Sequence, residues 1–403
     1  MNLPEDFLDL MRQQLPADEL PAFLMALERD PVCSIRLNER KPADVFPDAE
    51  SVPWCPNGRY LAERPSFTLD PLLHAGCYYV QEASSMYVSH LLRTYIKSDS
   101  EPLVCLDLCA APGGKSTLLL SDLPQGSLLI ANEPIRTRAN ILRENIIKWG
   151  HPNAIVTSNY AEDFCPLGVC FDLILCDAPC SGEGMFRKDS GSIAEWSMKN
   201  VEQCQQRQRQ ILSDIWDNLR DGGLLIYSTC TYNRYEDEDN VQWIAETLGA
   251  TILPLNDKPE WGIRNGHFYP HLTRGEGFFI SILRKDGEGS RRAIDKKKLN
   301  KALTILLDGI EQGRVVDKRG TVEPSHSEAM AYTTDRQRWQ NVELTRDDAL
   351  SYLRGEALHL FAPGLQPGYV LLTYENHPLG FCKNIGSRAN NLYPTEWRIK
   401  KKL

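Results

Sequence analysis

Between about Gly76 and Arg284, short apolar runs alternate with helical segments, and this repeat constrains the fold more than any other feature. LVCLDLC (103–109), SLLIANE (127–133), AIVTSN (154–159), FDLILCD (171–177), GLLIYSTC (223–230) and GFFISILR (277–284) are near-continuous apolar stretches of strand length. Strands buried on both faces read this way. PIRTRANILRENIIKWG (134–150) reads as a helix with Pro in its first turn and Gly at its end. YYVQEASSMYVSHLLRTYI (78–96) and segments near 199–219 and 236–248 also read as helices. Strand–helix repetition of this kind predicts a parallel, doubly wound α/β sheet with right-handed crossovers. Such a sheet binds ligands beyond the carboxyl ends of its strands, where the strand order reverses.

At 403 residues, the chain exceeds one ordinary domain. Residues 1–75 form an N-terminal unit, with helical spacing in FLDLMRQQL (7–15) and LPAFLMALERD (20–30) and strand alternation in SIRLN (34–38). The α/β domain follows over 76–285, then a basic linker over 286–298 and a C-terminal α+β unit over 299–403. That last unit opens on a predicted helix, KALTILLDGI (301–310), and ends β-rich. No apolar span approaches transmembrane length, and the acidic start lacks a basic n-region. The expected compartment is the cytoplasm.

Twelve cysteines without a signal peptide read as reduced thiols. No CxxC occurs, and the pairs Cys105/Cys109 and Cys176/Cys180 straddle strand ends, so no metal site is expected. A net charge of −9 argues against indiscriminate coating of nucleic acid but leaves room for a local basic groove. Residues 284–301 carry eight Lys/Arg against three Asp/Glu, and the tail 396–403 carries four against one. Each reads equally as a phosphate-binding patch or as solvated chain.

The chemistry-bearing residues collect at the predicted strand ends. LDLCAAPGGKS (106–116) makes a Gly-rich turn after the first strand of the α/β domain. It is neither a P-loop nor GxGxxG, since Cys109 stands where a P-loop needs Gly. Glu133 ends the next strand, where an acid takes the two hydroxyls of a ribose. A Gly turn with such an acid fits a nucleoside cofactor lacking a pyrophosphate, S-adenosylmethionine. DAPCSGEG delivers Asp177 and Cys180 to the end of one strand, and STCT delivers Cys230 to the end of the next. Two thiols at one sheet edge point to covalent cysteine chemistry on a planar electrophile.

In this order, AAPGGKS, NEP, DAPCSGEG, RKD and STCT resemble the RNA cytosine-5 methyltransferases of the Nop/Sun group, nearest to the bacterial RsmF type. The likeness extends to SIRLN, to GCYYVQEASSM (76–86) and to the NLYPTEWRI ending (391–399), which is similar to a PUA-like RNA-binding unit. The resemblance implies a Rossmann-like class I methyltransferase with a small N-terminal domain and a C-terminal PUA-like domain. It acts as a monomer on RNA, most readily small-subunit ribosomal RNA; transfer RNA or a silent assembly role are the alternatives. It implies Cys230 as nucleophile at C6 of cytosine, Cys180 as the aid to release, and Asp177 on the N3/N4 edge of the base. Cys109, Ala110, Ala111, Pro112, Gly113, Gly114, Lys115, Glu133 and Asp177 then hold the cofactor. Asn159 stands where relatives carry an adenosine-contacting Asp, and Arg187 and Lys188 are expected on the flanking phosphates. A DNA cytosine-5 enzyme would use Cys180 with a Glu-Asn-Val tripeptide, which this chain lacks.

Overall fold

The computed structural model describes residues 1–97, 99–290, 294–318, 320–358 and 364–400. The apolar runs become one central sheet, whose strands are numbered here. They are β1 (Val104–Asp107), β2 (Leu128–Asn132), β3 (Ala154–Thr157), β4 (Phe171–Asp177), β5 (Leu219–Thr229), β6 (Ala250–Leu253), β7 (Phe278–Lys285) and β8 (Ile305–Asp308). Their order is β6-β7-β5-β4-β1-β2-β3-β8, with His267–Phe268 also paired on β7. The run from β3 through β2, β1 and β4 to β5 is parallel, as the sequence predicts. The order reverses between β1 and β4, so a ligand cleft belongs beyond Asp107 and Asp177. β7 is antiparallel to β5, and no crossover helix separates it from β6.

Two segments depart from the sequence reading. Only Tyr87–Tyr95 of the stretch 78–96 is α-helix; Tyr78–Val80 is a strand against Cys33–Leu37. Its aromatic and β-branched residues complete an antiparallel sheet whose other strands are Cys55–Leu61 and Glu50–Val52. The N-terminal unit therefore runs past residue 75 to Val80. KALTILLDGI, read as a helix of the C-terminal unit, splits instead. Lys296–Ala302 is helical, and Ile305–Asp308 is β8, antiparallel to β3. An open edge on β3 and an Ile-Leu-Leu run meet there, and pairing wins over helix propensity. Leu299 and Leu303 are buried with Phe164 and Ile155, so residues 296–308 belong to the α/β domain.

The flanking units pack onto that sheet. Helices Glu5–Gln14 and Leu20–Leu27 bury Phe7, Met11 and Phe23 against Phe186, Trp196 and Tyr232 of the α/β domain. Phe7 meets the Phe186 ring edge-on at 5.1 Å, and Phe23 meets Tyr232 at 5.1 Å. The C-terminal unit carries a sheet of Gln340–Glu343, Gly368–Tyr374, His377–Asn384 and Ala389–Asn391. Helix Arg346–Leu353, with Tyr393 and Trp397 of the ending, covers it. The last residues of the basic tail, 401–403, lie outside the described residues. Among the described residues, no helix is long and apolar enough to cross a membrane.

The placement of β8 carries a prediction. A chain ending at residue 285 loses the strand that closes β3 and melts at a lower temperature than one ending at residue 309. Leu299→Ala in the full chain destabilises by about 2–5 kcal/mol, read by urea denaturation. Equal stability of the two shortened chains would return residues 296–308 to the C-terminal unit.

Candidate active site

The cleft forms where β1 and β4 end side by side. Asp107 closes β1, and the chain turns through Cys109–Gly113 into helix Gly114–Asp122. Gly113 has φ +115°, a left-handed conformation that glycine adopts freely. The turn is pinned by Ala110 N–H, which donates to Asn132 O at 2.8 Å. A cavity of about 170 Å³ opens over it, lined by Ala110–Pro112, Gly114, Lys115, Asp107, Asp177 and, from the N-terminal unit, Tyr79 and Gln81. Gly114 and Lys115, the first residues of that helix, line this space.

Asp107 is fully buried. Its Oδ2 accepts from Ser116 Oγ at 2.6 Å, and its Oδ1 has no partner. Burial pushes its pKa from the ordinary 3.8 to about 7. Lys115 pairs with Asp177 at 2.8 Å and lies 5.0 Å over the Phe278 ring. Burial works against the Lys115 charge, yet the Asp177 carboxylate outweighs it and holds the pKa above its ordinary value. The second Asp177 oxygen accepts from Ser228 Oγ at 2.7 Å. These contacts fix the carboxylate at the mouth of the cavity.

The two cysteines meet as the strand ends predict. In the β4–β5 pair, Asp177 lies level with Ser228, so the chain beyond each strand rises on the same side. Cys180 Sγ and Cys230 Sγ are 3.1 Å apart. Gly184 N–H donates to Cys230 O at 2.9 Å, and a Cβ on Gly184 would lie 2.9 Å from that oxygen, so the two loops touch through backbone. The hydrogen bond with Cys230, followed by burial, pushes the Cys180 thiol well above its ordinary pKa.

Other expected residues sit differently. Glu133 is buried at the end of β2, with Oε1 accepting from Ile135 N–H at 3.0 Å and Oε2 3.2 Å from Arg138. It does not line the cavity surface. Asn159 is engaged by Thr304, whose N–H donates to Oδ1 at 2.9 Å and whose carbonyl accepts from Nδ2 at 3.4 Å. Its amide ties the lead-in of β8 to β3, so both ends of the side chain expected at the adenine are engaged within the protein. Arg187 is buried as well: Nε donates to Glu276 at 2.7 Å, and its other nitrogens donate to Gly275 O and Ala26 O. It locks helix Leu20–Leu27 to the α/β domain and is not available to a phosphate. Lys188 stays partly exposed, 3.7 Å from Glu276, in a cleft it shares with Arg64 and Arg274.

The sequence reading missed the supports. Arg36 is buried, donating to Gln81 Oε1 at 2.8 Å and to Thr117 Oγ1 at 2.5 Å beneath the Gly turn. Glu183, Asn233 and Glu236 lie fully buried under the cysteine loops. Glu183 stands inside DAPCSGEG, and an acid among small residues in that loop was the available signal. Among the described residues, one group has the composition of a metal site: Asp237, Glu238 and His267, with His267 Nε2 hydrogen-bonded to Glu238 at 2.8 Å. It lies outside the cavity lining.

Two predictions follow from these burials. Arg187→Met takes from buried Glu276 its hydrogen-bonded partner, leaving Lys188 at 3.7 Å, and lowers stability by about 3 kcal/mol, measured by denaturant unfolding; a loss of RNA affinity at unchanged stability would restore the phosphate role. Folded Asp107 keeps its proton to about pH 7, whereas the unfolded carboxyl loses it near 3.8. Its contribution is therefore full below that lower value and is lost as pH rises toward the upper one. Asp107→Asn removes this decline, so wild type loses stability relative to the variant between pH 3.8 and about 7 in urea titrations of the ligand-free protein.

Known proteins resemble this chain over all of its units. Residues 95–284 match the model of 16S rRNA methyltransferase RsmB/F, residues 3–83 the N-terminal domain of 16S rRNA methyltransferase RsmF, and residues 340–399 the RsmF PUA domain. Ribosomal RNA small subunit methyltransferase F of Enterobacter sp. (strain 638) is 31% identical over 98% of this chain and 95% of its own. That of Salmonella paratyphi A is 30% identical over 98% and 96%. A solved methyltransferase homolog from Pyrococcus horikoshii superposes with TM-score 0.60 at 28% identity, covering 70% of this chain and 95% of its own. NSun6 from the same organism, solved with SFG, shares the fold at TM-score 0.60 and 21% identity over 71% of this chain and 99% of its own. With identity of this level along nearly its whole length, the chain belongs to the RsmF family of ribosomal RNA small subunit methyltransferases.

Proposed function

We propose that this chain transfers the methyl group of S-adenosylmethionine to C5 of a cytosine in small-subunit ribosomal RNA, acting as one copy in the cytoplasm. The observation that carries the reading is the pair of thiols 3.1 Å apart, just past the ends of two adjacent strands, one of which ends in Asp177 on the wall of a cavity floored by a Gly turn. A methyltransferase acting on oxygen or an exocyclic nitrogen needs no thiol. C5 of cytosine does, because it is too poor a nucleophile until a thiolate has added at C6.

The residues divide the work by position. Cys109–Lys115, with Asp107, hold the cofactor over the turn, and Glu133 sits at the strand end where a ribose is expected. When bound, the cofactor supplies an electrophilic methyl group on a cationic sulfur. Asp107 lines the cavity and its Oδ1 has no hydrogen-bond partner, so a positive ligand there would favour its ionised form. Cys230, as thiolate, forms the bond to C6, and the C5–C6 π pair moves into the ring, leaving C5 enamine-like as N3 takes a proton from solvent. Asp177, held by Lys115 and Ser228, accepts from the N3/N4 edge and keeps that protonated form in place. C5 takes the methyl group. The C5 proton passes by way of Cys180 to solvent as its bonding pair forms the C5–C6 double bond, the Cys230–C6 bonding pair returns to the Cys230 sulfur, and N3 gives its proton back to solvent. The base reaches the cavity only after leaving its stack. The PUA domain and the N-terminal unit supply RNA-binding surface on either side.

The test is labelled methyl transfer to deproteinised 16S rRNA, to assembled small subunits and to tRNA. Cys230→Ala should abolish product. Cys180→Ala should leave a denaturation-resistant protein–RNA adduct. An adduct with Cys230→Ala and none with Cys180→Ala would exchange the two roles, and product on tRNA alone would change the substrate.

A further inference from the structure

The two cysteines are held unequally. Cys230 follows β5 directly, and that strand is paired on both sides, with β4 and β7. Thr229 Oγ1, one residue before it, donates to Asp237 at 2.5 Å. Cys180 has no such support. It sits three residues beyond β4, after Pro179, in chain with no regular structure until Glu183. Its position depends on what grips the loop.

That grip consists of three fully buried side chains beneath both loops, Glu183, Asn233 and Glu236. Glu183, from the Cys180 loop, reaches across to the Cys230 loop. Its Oε2 accepts from Tyr232 N–H at 2.8 Å and Asn233 N–H at 3.0 Å, and its Oε1 accepts from Asn233 Nδ2 and Trp196 Nε1, each at 2.9 Å. Glu236, from beyond the Cys230 loop, reaches back. Its carboxylate accepts from Ser181 N–H at 3.0 Å, immediately after Cys180, and from Gln208 Nε2 at 2.7 Å. Asn233 stands between them, its Nδ2 also 2.8 Å from Glu236 and 2.9 Å from Thr231 Oγ1, so its two hydrogens are shared among these acceptors and Glu183. Two carboxylates this deeply buried are strongly unfavourable without donors, and here nearly every donor comes from one of the two cysteine loops or the helix beneath them.

We propose that Glu183, Asn233 and Glu236 are positioning residues that hold Cys180 against Cys230, so that release of the methylated base depends on them more than the first attack does. The inference rests on the proposed division of labour between the two thiols. Loosening the grip leaves Cys230 on its strand and lets Cys180 drift. The variants then behave as partial copies of a Cys180 deletion: the base is attacked and methylated, and the protein stays bound to it.

The experiment uses the full chain with Glu183→Gln, Glu236→Gln and Asn233→Ala, beside Cys180→Ala. The two Gln variants keep side-chain shape and replace an acceptor oxygen by an NH₂ that faces donors; they preserve the test where Asn233→Ala fails to fold. Single-turnover methyl transfer, steady-state turnover and adduct resistant to denaturant are measured on the same RNA. A misplacement of about 1 Å costs up to ~100-fold in rate. Turnover should fall by at least about tenfold while single-turnover transfer falls far less and adduct accumulates. Loss of both rates in proportion, without adduct, would make the three residues purely structural and overturn the proposal, as would wild-type turnover in both Gln variants. Absence of adduct from Cys180→Ala itself would instead overturn the assignment of the two cysteines.

Discussion

The register between β4 and β5 is the constraint from which the rest of the site follows. A parallel pair with Asp177 level with Ser228 sends both chains out of the sheet at the same height and side. Side chains on a strand alternate faces, so a slip of one residue would exchange which residues meet the cavity. In the observed register Asp177 receives the Ser228 hydroxyl, and the next few residues of each chain bring two sulfurs to 3.1 Å. The register is enforced by burial on both faces: Leu173, Ile174 and Leu175 lie beside Leu224, Leu225 and Ile226, all nearly inaccessible. Hydrophobic packing, which has no directional preference, thus fixes the position of the directional chemistry.

Buried charge is the counterweight. Asp107 and Glu236 are each pushed up to about 7 by burial, and Lys41 is pushed down to about 7 at the meeting of the N-terminal unit and helix Arg136–Trp149. Most of these groups are surrounded by donors or carbonyls, as buried polar atoms must be. Asp107 Oδ1 is an exception at the cavity, where a cationic ligand is the natural complement. The site is therefore built at the expense of stability in the ligand-free protein, a pattern common to active sites.

The sequence made the sheet and the cysteine pair legible because both are local patterns: an apolar run, then a polar turn. FDLILCD became β4 with the bounds read from the sequence, and its neighbour is the strand ending in STCT. What stayed hidden depended on partners distant in the chain. Nothing near Ile305 says that β3 has an open edge, so KALTILLDGI looked helical. Arg187, seen alone after a catalytic motif, looks like a phosphate ligand; only Glu276 and Ala26, 89 and 161 residues away, turn it into a clamp. Asn159 is the same case, with its partner Thr304 145 residues away.

The Lys115–Asp177 pair bears on how Cys230, the nucleophile of the proposed reaction, would be activated. A lone buried ammonium beside Cys230 would strongly favour the thiolate. Here Asp177 takes up that charge at 2.8 Å, and the pair as a whole presents a dipole whose field falls off faster than that of a cation. Cys230 is among the groups whose negative form interacts with Lys115, so the influence is reduced and not lost. The missing positive charge is the one the methyl donor carries on its sulfur. In the proposed reaction, that charge would be supplied by the cofactor seated over the Gly turn.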